Sequence, residues 1–171
     1  MTTKKIFYLI CLILICFHCS WSQTIFSENM GSPTTTTNIT SNVFENNNLL
    51  SYSNGGQSNS ADVRTTNAST GYSGASSGGN IFFSSTSGAY GFSIEGINAS
   101  SYTTLSLQFG YRKESSTSHA LFSVDYWNGN TWEVLANSET DLFNESASAS
   151  AKWYLSKVLT LPIEARINGL K

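Results

Sequence analysis

Apolar and polar residues alternate with a period of two along much of the chain. In "YGFSIEGI" the residues Tyr90, Phe92 and Ile94 share a face. In "LSLQFGYR" one face carries Leu105, Leu107, Phe109 and Tyr111, and the other carries Ser106, Gln108, Gly110 and Arg112. In "ALFSVDYW" Phe122, Val124 and Tyr126 lie opposite Ser123, Asp125 and Trp127. A two-residue period with one apolar face predicts half-buried strands. Strands are expected near 24–28, 43–52, 80–84, 89–95, 103–113, 119–127, 131–136 and 152–160, with a short one in "ADVRT" at 61–65. Turn residues separate these runs, which predicts an all-β, antiparallel sandwich or barrel. The one helical signal is "LPIEARI", residues 161–167, where Pro162 suits the start of a single turn.

The stretch "VDYWNGNTWEVL" predicts a hairpin turning at Asn128–Asn130. Pairing Tyr126 with Trp132, Val124 with Val134 and Phe122 with Ala136 puts every apolar residue inward. A one-residue slip reverses every side chain, so this register is expected. It makes Trp132 a core anchor and turns Trp127 outward, opposite Thr131. It also sets Asp125 against Glu133, a like-charge pair that a bound Ca²⁺ would relieve.

Two long segments lack periodicity. Residues 31–42 read as a polar loop, and residues 53–80 are broken by Gly and Ser clusters. So long a loop is unusual in one domain and argues against a wholly irregular segment.

The first 22 residues are of another kind. Lys4 and Lys5 precede the unbroken apolar run Ile6–Phe17, and Ser20 and Ser22 are small residues suited to a cleavage site. This is the pattern of a secretory signal peptide, and the run falls short of the ~20 residues of a membrane span. The mature domain is then 23–171. Cys11, Cys16 and Cys19 all leave with the leader, so neither a disulfide framework nor thiolate chemistry is expected. Of the 9 basic residues, Lys4 and Lys5 also leave, so 7 face the 11 acidic ones. No basic patch remains for nucleic acid, and no basic amphipathic helix for a membrane surface.

Catalytic signals are few. His119 is the one mature histidine and reads as a turn residue. The one G-x-S-x-G string, Gly74–Gly78, lies in the Gly/Ser-rich loop with no helix pattern after it, so it does not read as a nucleophile elbow, and there is no H-E-x-x-H and no Cys/His zinc pattern. A glycoside hydrolase needs only two carboxylates. Glu95 comes nearest to an apolar setting that would raise a pKa, although Glu-Gly at a strand end is also a common turn. Sequons at Asn38, Asn67, Asn98 and Asn144 match the abundance of Asn, Ser and Thr.

Four stretches carry a resemblance: "QTIFSENMGSPTTTT", "ADVRTTNASTGYSGASSGGNIFF", "FSIEGINASSYTTLSLQFGYRKES" and "LTLPIEARINGLK". Together they resemble the N-terminal domain of secreted proteins of Flavobacteria and related Bacteroidetes, cargo of the type IX secretion system. The resemblance implies a jelly-roll-like sandwich similar to carbohydrate-binding modules, at the cell surface or outside the cell. Relatives continue past "INGL" with one or two further strands, which implies an open sheet edge here. It also implies a Ca²⁺ between first and last strands, for which Glu28 would be the first-strand ligand.

From residues and resemblance together, the expected function is a non-catalytic module binding carbohydrate or another surface component. Trp127 would be the stacking platform, with Arg112, Gln108 and Asp125 as polar partners. The alternatives are a spacer domain without a ligand and a hydrolase with two carboxylates.

Overall fold

The computed structural model describes residues 23–84, 88–114, 122–144 and 151–171. The leader, His119 and the start of the expected 119–127 strand lie outside the described residues. The rest is all-β. Its strands pair antiparallel, except that Asn59–Ser60 runs parallel to Tyr90–Gly91. The described helical structure is one turn at Glu139–Leu142 and 3-10 turns at Ile39–Ser41 and Ile163–Ala165. Ser138 starts the first of these, its hydroxyl accepting from the Asp141 N–H at 3.1 Å. Pro162 opens the last, as expected.

The alternation at 105–112 forms one side of a long antiparallel pair. Leu105–Leu107 lies against Leu159–Leu161, and Gly110–Arg112 against Trp153–Leu155. The register shifts between the two halves, and Ser156 closes the gap. Its N–H donates to the Phe109 carbonyl at 2.9 Å, and its hydroxyl accepts from the Phe109 N–H at 3.0 Å. That hydroxyl also reaches the Lys157 carbonyl at 2.9 Å. Ser156 is wholly buried, so its polar atoms need these partners.

Three apolar clusters form the interior. Tyr111, Ala136, Leu142, Phe143 and Leu159 make one, and Ala99, Leu105, Tyr126, Ala165 and Leu170 make the second. Leu135 packs on both. The third gathers Ile39, Phe44, Ala61 and Val63, with Phe44 stacked on Tyr52 at 3.9 Å.

The 53–80 segment is ordered by pairing and packing rather than by periodicity. Asp62–Arg64 lies between Thr37–Asn38 and Asn80–Phe82. Asn80 Nδ2 ties the return leg to the carbonyls of Arg64 and Thr66 at 3.1 and 2.9 Å. The Tyr72 ring lies directly on Gly110, where a Cβ would run into the phenol. Its hydroxyl shares a proton with Ser69 Oγ at 2.6 Å, and the Trp153 indole N–H donates to the Asn67 carbonyl at 2.9 Å. The segment therefore covers the 110–112/153–155 pair.

Two strand expectations fail. Residues 24–28 form no strand; Glu28 fixes them instead through its carboxylate. Its Oε1 accepts from the N–H groups of Met30 and Glu45, both at 2.9 Å. Its Oε2 accepts from Asn46 N–H at 3.1 Å, Asn46 Nδ2 at 3.0 Å and the Tyr52 hydroxyl at 2.5 Å. Residues 43–50 turn rather than extend, the N–H groups of Leu49 and Leu50 both donating to the Asn46 carbonyl at 2.9 Å. Pairing starts only at Ser51–Ser53, against Ser93–Glu95. At the other end Asn168–Leu170 forms an unexpected strand against Ile97–Asn98.

Candidate functional site

The hairpin forms, but in another register. Trp127 pairs with Trp132, Tyr126 with Glu133, Asp125 with Val134 and Val124 with Ala136. The reason lies in the turn. Asn128 Oδ1 accepts from the N–H groups of Asn130 and Thr131, both at 2.9 Å. Asn128 N–H donates to the Thr131 carbonyl at 3.1 Å. Thr131 is thus drawn into a four-residue loop, and the strands close one residue later than a three-residue loop allows. Farther down, Leu135 is an extra residue opposite the Val124–Asp125 step, and this bulge returns Leu135 and Ala136 to the interior.

Both tryptophans consequently share the outward face. Trp132 is not a core anchor: it is 38 % exposed, while Trp127 is the more covered of the two. Their rings meet edge to face, with centroids 5.8 Å apart and planes at 66°. Tyr126 alone of this group turns inward and is buried. Asp125 stands on the same outward face as the indoles, exposed, beside Val134. It does not oppose Glu133, so the like-charge pair that suggested a cation is not formed.

The strip extends across neighbouring strands. Trp127 N–H donates to the Lys171 carbonyl at 3.0 Å, which brings the Asn168–Leu170 strand alongside. The Lys171 ammonium lies 5.5 Å above the Trp127 ring, within cation–π range. It also pairs with Glu95 Oε2 at 2.9 Å. Glu95 Oε1 accepts from the hydroxyls of Ser53 and Ser93 at 2.6 and 2.7 Å. Burial pushes the Glu95 carboxyl up, but the two hydroxyls and the Lys171 ammonium outweigh it and hold the group down to about 2. Glu95 therefore keeps its charge near neutrality and has no proton to give as a general acid. The apolar neighbours in "SIEGI" therefore do not raise its pKa, because Ser53, Ser93 and Lys171 surround the carboxylate with donors.

Two expected partners stand elsewhere. Gln108 Nε2 donates to the Ser156 carbonyl at 3.2 Å in the long strand pair. Arg112 pairs in register with Trp153 and forms an ion pair with Glu114, whose carboxylate also accepts from Asn67. Arg112 belongs to the region beneath the 53–80 segment, while Gln108 is exposed at the step between the two strand pairs. Glu28, the expected metal ligand, is engaged by five donors. Burial would raise its carboxyl, but the Tyr52 hydroxyl, the Asn46 amide and two backbone N–H groups prevail and lower it. Among the described residues no three His, Cys, Asp or Glu side chains gather as a metal site.

A shallow concavity of about 430 Å³ lies around Pro33, Thr35 and Asn42, lined by neither an aromatic ring nor a charge. The strip at Trp132 is flatter but has the richer chemistry. In one row it offers two indoles, an ammonium and a carboxylate, the last held from behind by the hydroxyls of Ser53 and Ser93. Sequence reasoning reached Trp127 and Asp125 but not Trp132 or Lys171 as site residues. The Asn128 side chain was the available signal for Trp132. Lys171 is brought in by pairing distant in sequence and has no local signal. No protein-family model matches the chain, and neither does any curated protein or solved structure.

Proposed function

We propose that this chain is an exported, non-catalytic module, jelly-roll-like in topology, that binds carbohydrate through the strip Glu95–Lys171–Trp127–Trp132. The resemblance to secreted proteins of Flavobacteria supports export and surface placement. The observation that carries the binding role is the pair of outward indoles beside hydrogen-bonding groups of both signs on an open sheet face. An indole offers a flat apolar surface to the C–H face of a pyranose. Lys171 and Glu95 offer a donor and an acceptor for its hydroxyls. Trp132, the more exposed ring, is the principal platform, and Trp127 stiffens it from the side.

The test is a glycan array followed by affinity electrophoresis on the retained sugars. Wild-type protein is expected to bind at least one glycan class, and Trp132→Ala is expected to lose that binding while keeping its melting temperature. Retention of the same glycans by both Trp132→Ala and Trp127→Ala would remove the strip as the site.

A spacer role has one observation in its favour. Val134 is 58 % exposed beside Trp132, on a strand paired on only one side among the described residues. An apolar edge of this kind suits packing against a neighbouring module. Absence of any glycan binding, together with burial of Trp132 in a complex with an adjoining domain, would favour that role.

A further inference from the structure

We infer that the strip selects a neutral, singly presented sugar chain and rejects both acidic glycans and crystalline polysaccharide. This rests on the carbohydrate reading above and adds a substrate class to it. Two independent features carry it, one geometric and one electrostatic.

The geometry concerns ring planes. A crystalline polysaccharide presents a flat lattice and needs aromatic rings lying in one plane. Trp127 and Trp132 meet at 66°, so when one ring lies flat on a lattice the other meets it edge-on. The two form a corner. A corner receives one pyranose, with its face on the first indole and its rim against the second. The Lys171 ammonium over Trp127 narrows the open surface further.

The electrostatics concern which charges are already engaged. Lys171 is the one cation in the row, and it is held by Glu95 at 2.9 Å. The carboxylates on the strip are Glu95 and Asp125; Glu133 pairs with Tyr126 on the other face of the hairpin. Two anions to one cation leave the row net negative, which disfavours a uronate or a sulfate. Such a group would also have to take Lys171 from Glu95, leaving that carboxylate beside a like charge. A neutral hydroxyl displaces nothing. It can accept an N–H from Lys171 and donate its own proton to a Glu95 oxygen, so a vicinal diol bridges the ion pair as it stands.

Affinity electrophoresis of the purified protein in gels containing soluble mannan, xylan or β-glucan tests this. Gels with polygalacturonate or alginate, and pull-downs on microcrystalline cellulose and chitin, are the comparison arms. The expected result is retardation by at least one neutral soluble polysaccharide and none by the acidic or crystalline ones. The affinity should vary less than about twofold with salt, because no net ligand charge is involved. Trp132→Ala should weaken binding at least tenfold. Glu95→Lys should weaken neutral binding and admit acidic glycans. Stronger retention by acidic polymers, or Trp132-dependent binding to the crystalline solids, would overturn the selectivity and leave carbohydrate binding standing. No retention in any arm by protein with a normal melting transition would overturn both.

Discussion

Replacing Glu95 by glutamine keeps the shape and removes the charge, so it isolates what the anion contributes to folding. Glu95 is held at about 2 in the fold, against 4.5 for an unperturbed glutamate. At about 1.4 kcal/mol per pH unit, the whole difference corresponds to an upper limit of about 3 kcal/mol. The side chain is 23 % exposed and its Lys171 partner 35 %, so solvent screening reduces this to about 1–2 kcal/mol. The sign follows from linkage. A lowered folded-state pKa stabilises fully above the unfolded value and loses its effect as pH falls toward the folded one. Wild type should therefore exceed Glu95→Gln by about 1–2 kcal/mol at pH 7, and the gap should close between about pH 5 and pH 2. Urea unfolding of both proteins across that range measures it. The acid response of Glu28 and every other carboxylate is common to both and cancels in the difference. A gap that stays constant from pH 7 to pH 2 would refute the ion pair and its hydroxyl partners as the cause.

Other positions give sharp expectations. Glu28→Ala removes the acceptor for five donors and should cost about 2–4 kcal/mol in urea unfolding, with a value under about 0.5 contradicting the clasp. Gly110→Ala should cost about 1–3 kcal/mol through collision with Tyr72, and most of that cost should vanish in a Tyr72→Ala background, a coupling that a double-mutant cycle reads directly. Ser156→Ala leaves the Phe109 N–H without its hydroxyl acceptor in a buried site and should lower stability by about 1–3 kcal/mol, visible in thermal melts.

Much of the β-structure could be read locally. Leu105, Leu107 and Tyr111 face the interior as their spacing indicated, and so do Phe92 and Tyr126. What could not be read depends on side chains bonding to backbone or on pairing far along the chain. Asn128 lengthens the turn by one residue, and that moved Trp132 from the expected core to the surface. Glu28 gathers N–H groups that a strand would have used in a ladder, so an apparently extended N-terminus is a clasp. The 53–80 segment has the composition of a linker, yet Tyr72, Asn67 and Asn80 tie it down through long-range contacts. Half of the expected site came together, Trp127 with Asp125, because those residues share a strand and a parity. Arg112 and Gln108 share that parity on a different strand, and alternation cannot say which strands are neighbours.

The bulge at Leu135 has a consequence for how this surface can diversify. Above it the strand is phased by the turn, and below it by the interior. The two phases are uncoupled, so exchanges at 127, 132 and 134 need not be answered by compensating changes at 124, 135 and 136. Homologues could swap one aromatic for another at the tip, or lose both, while the interior keeps its residues. Such a layout lets the exposed tip drift quickly on a frame that changes slowly.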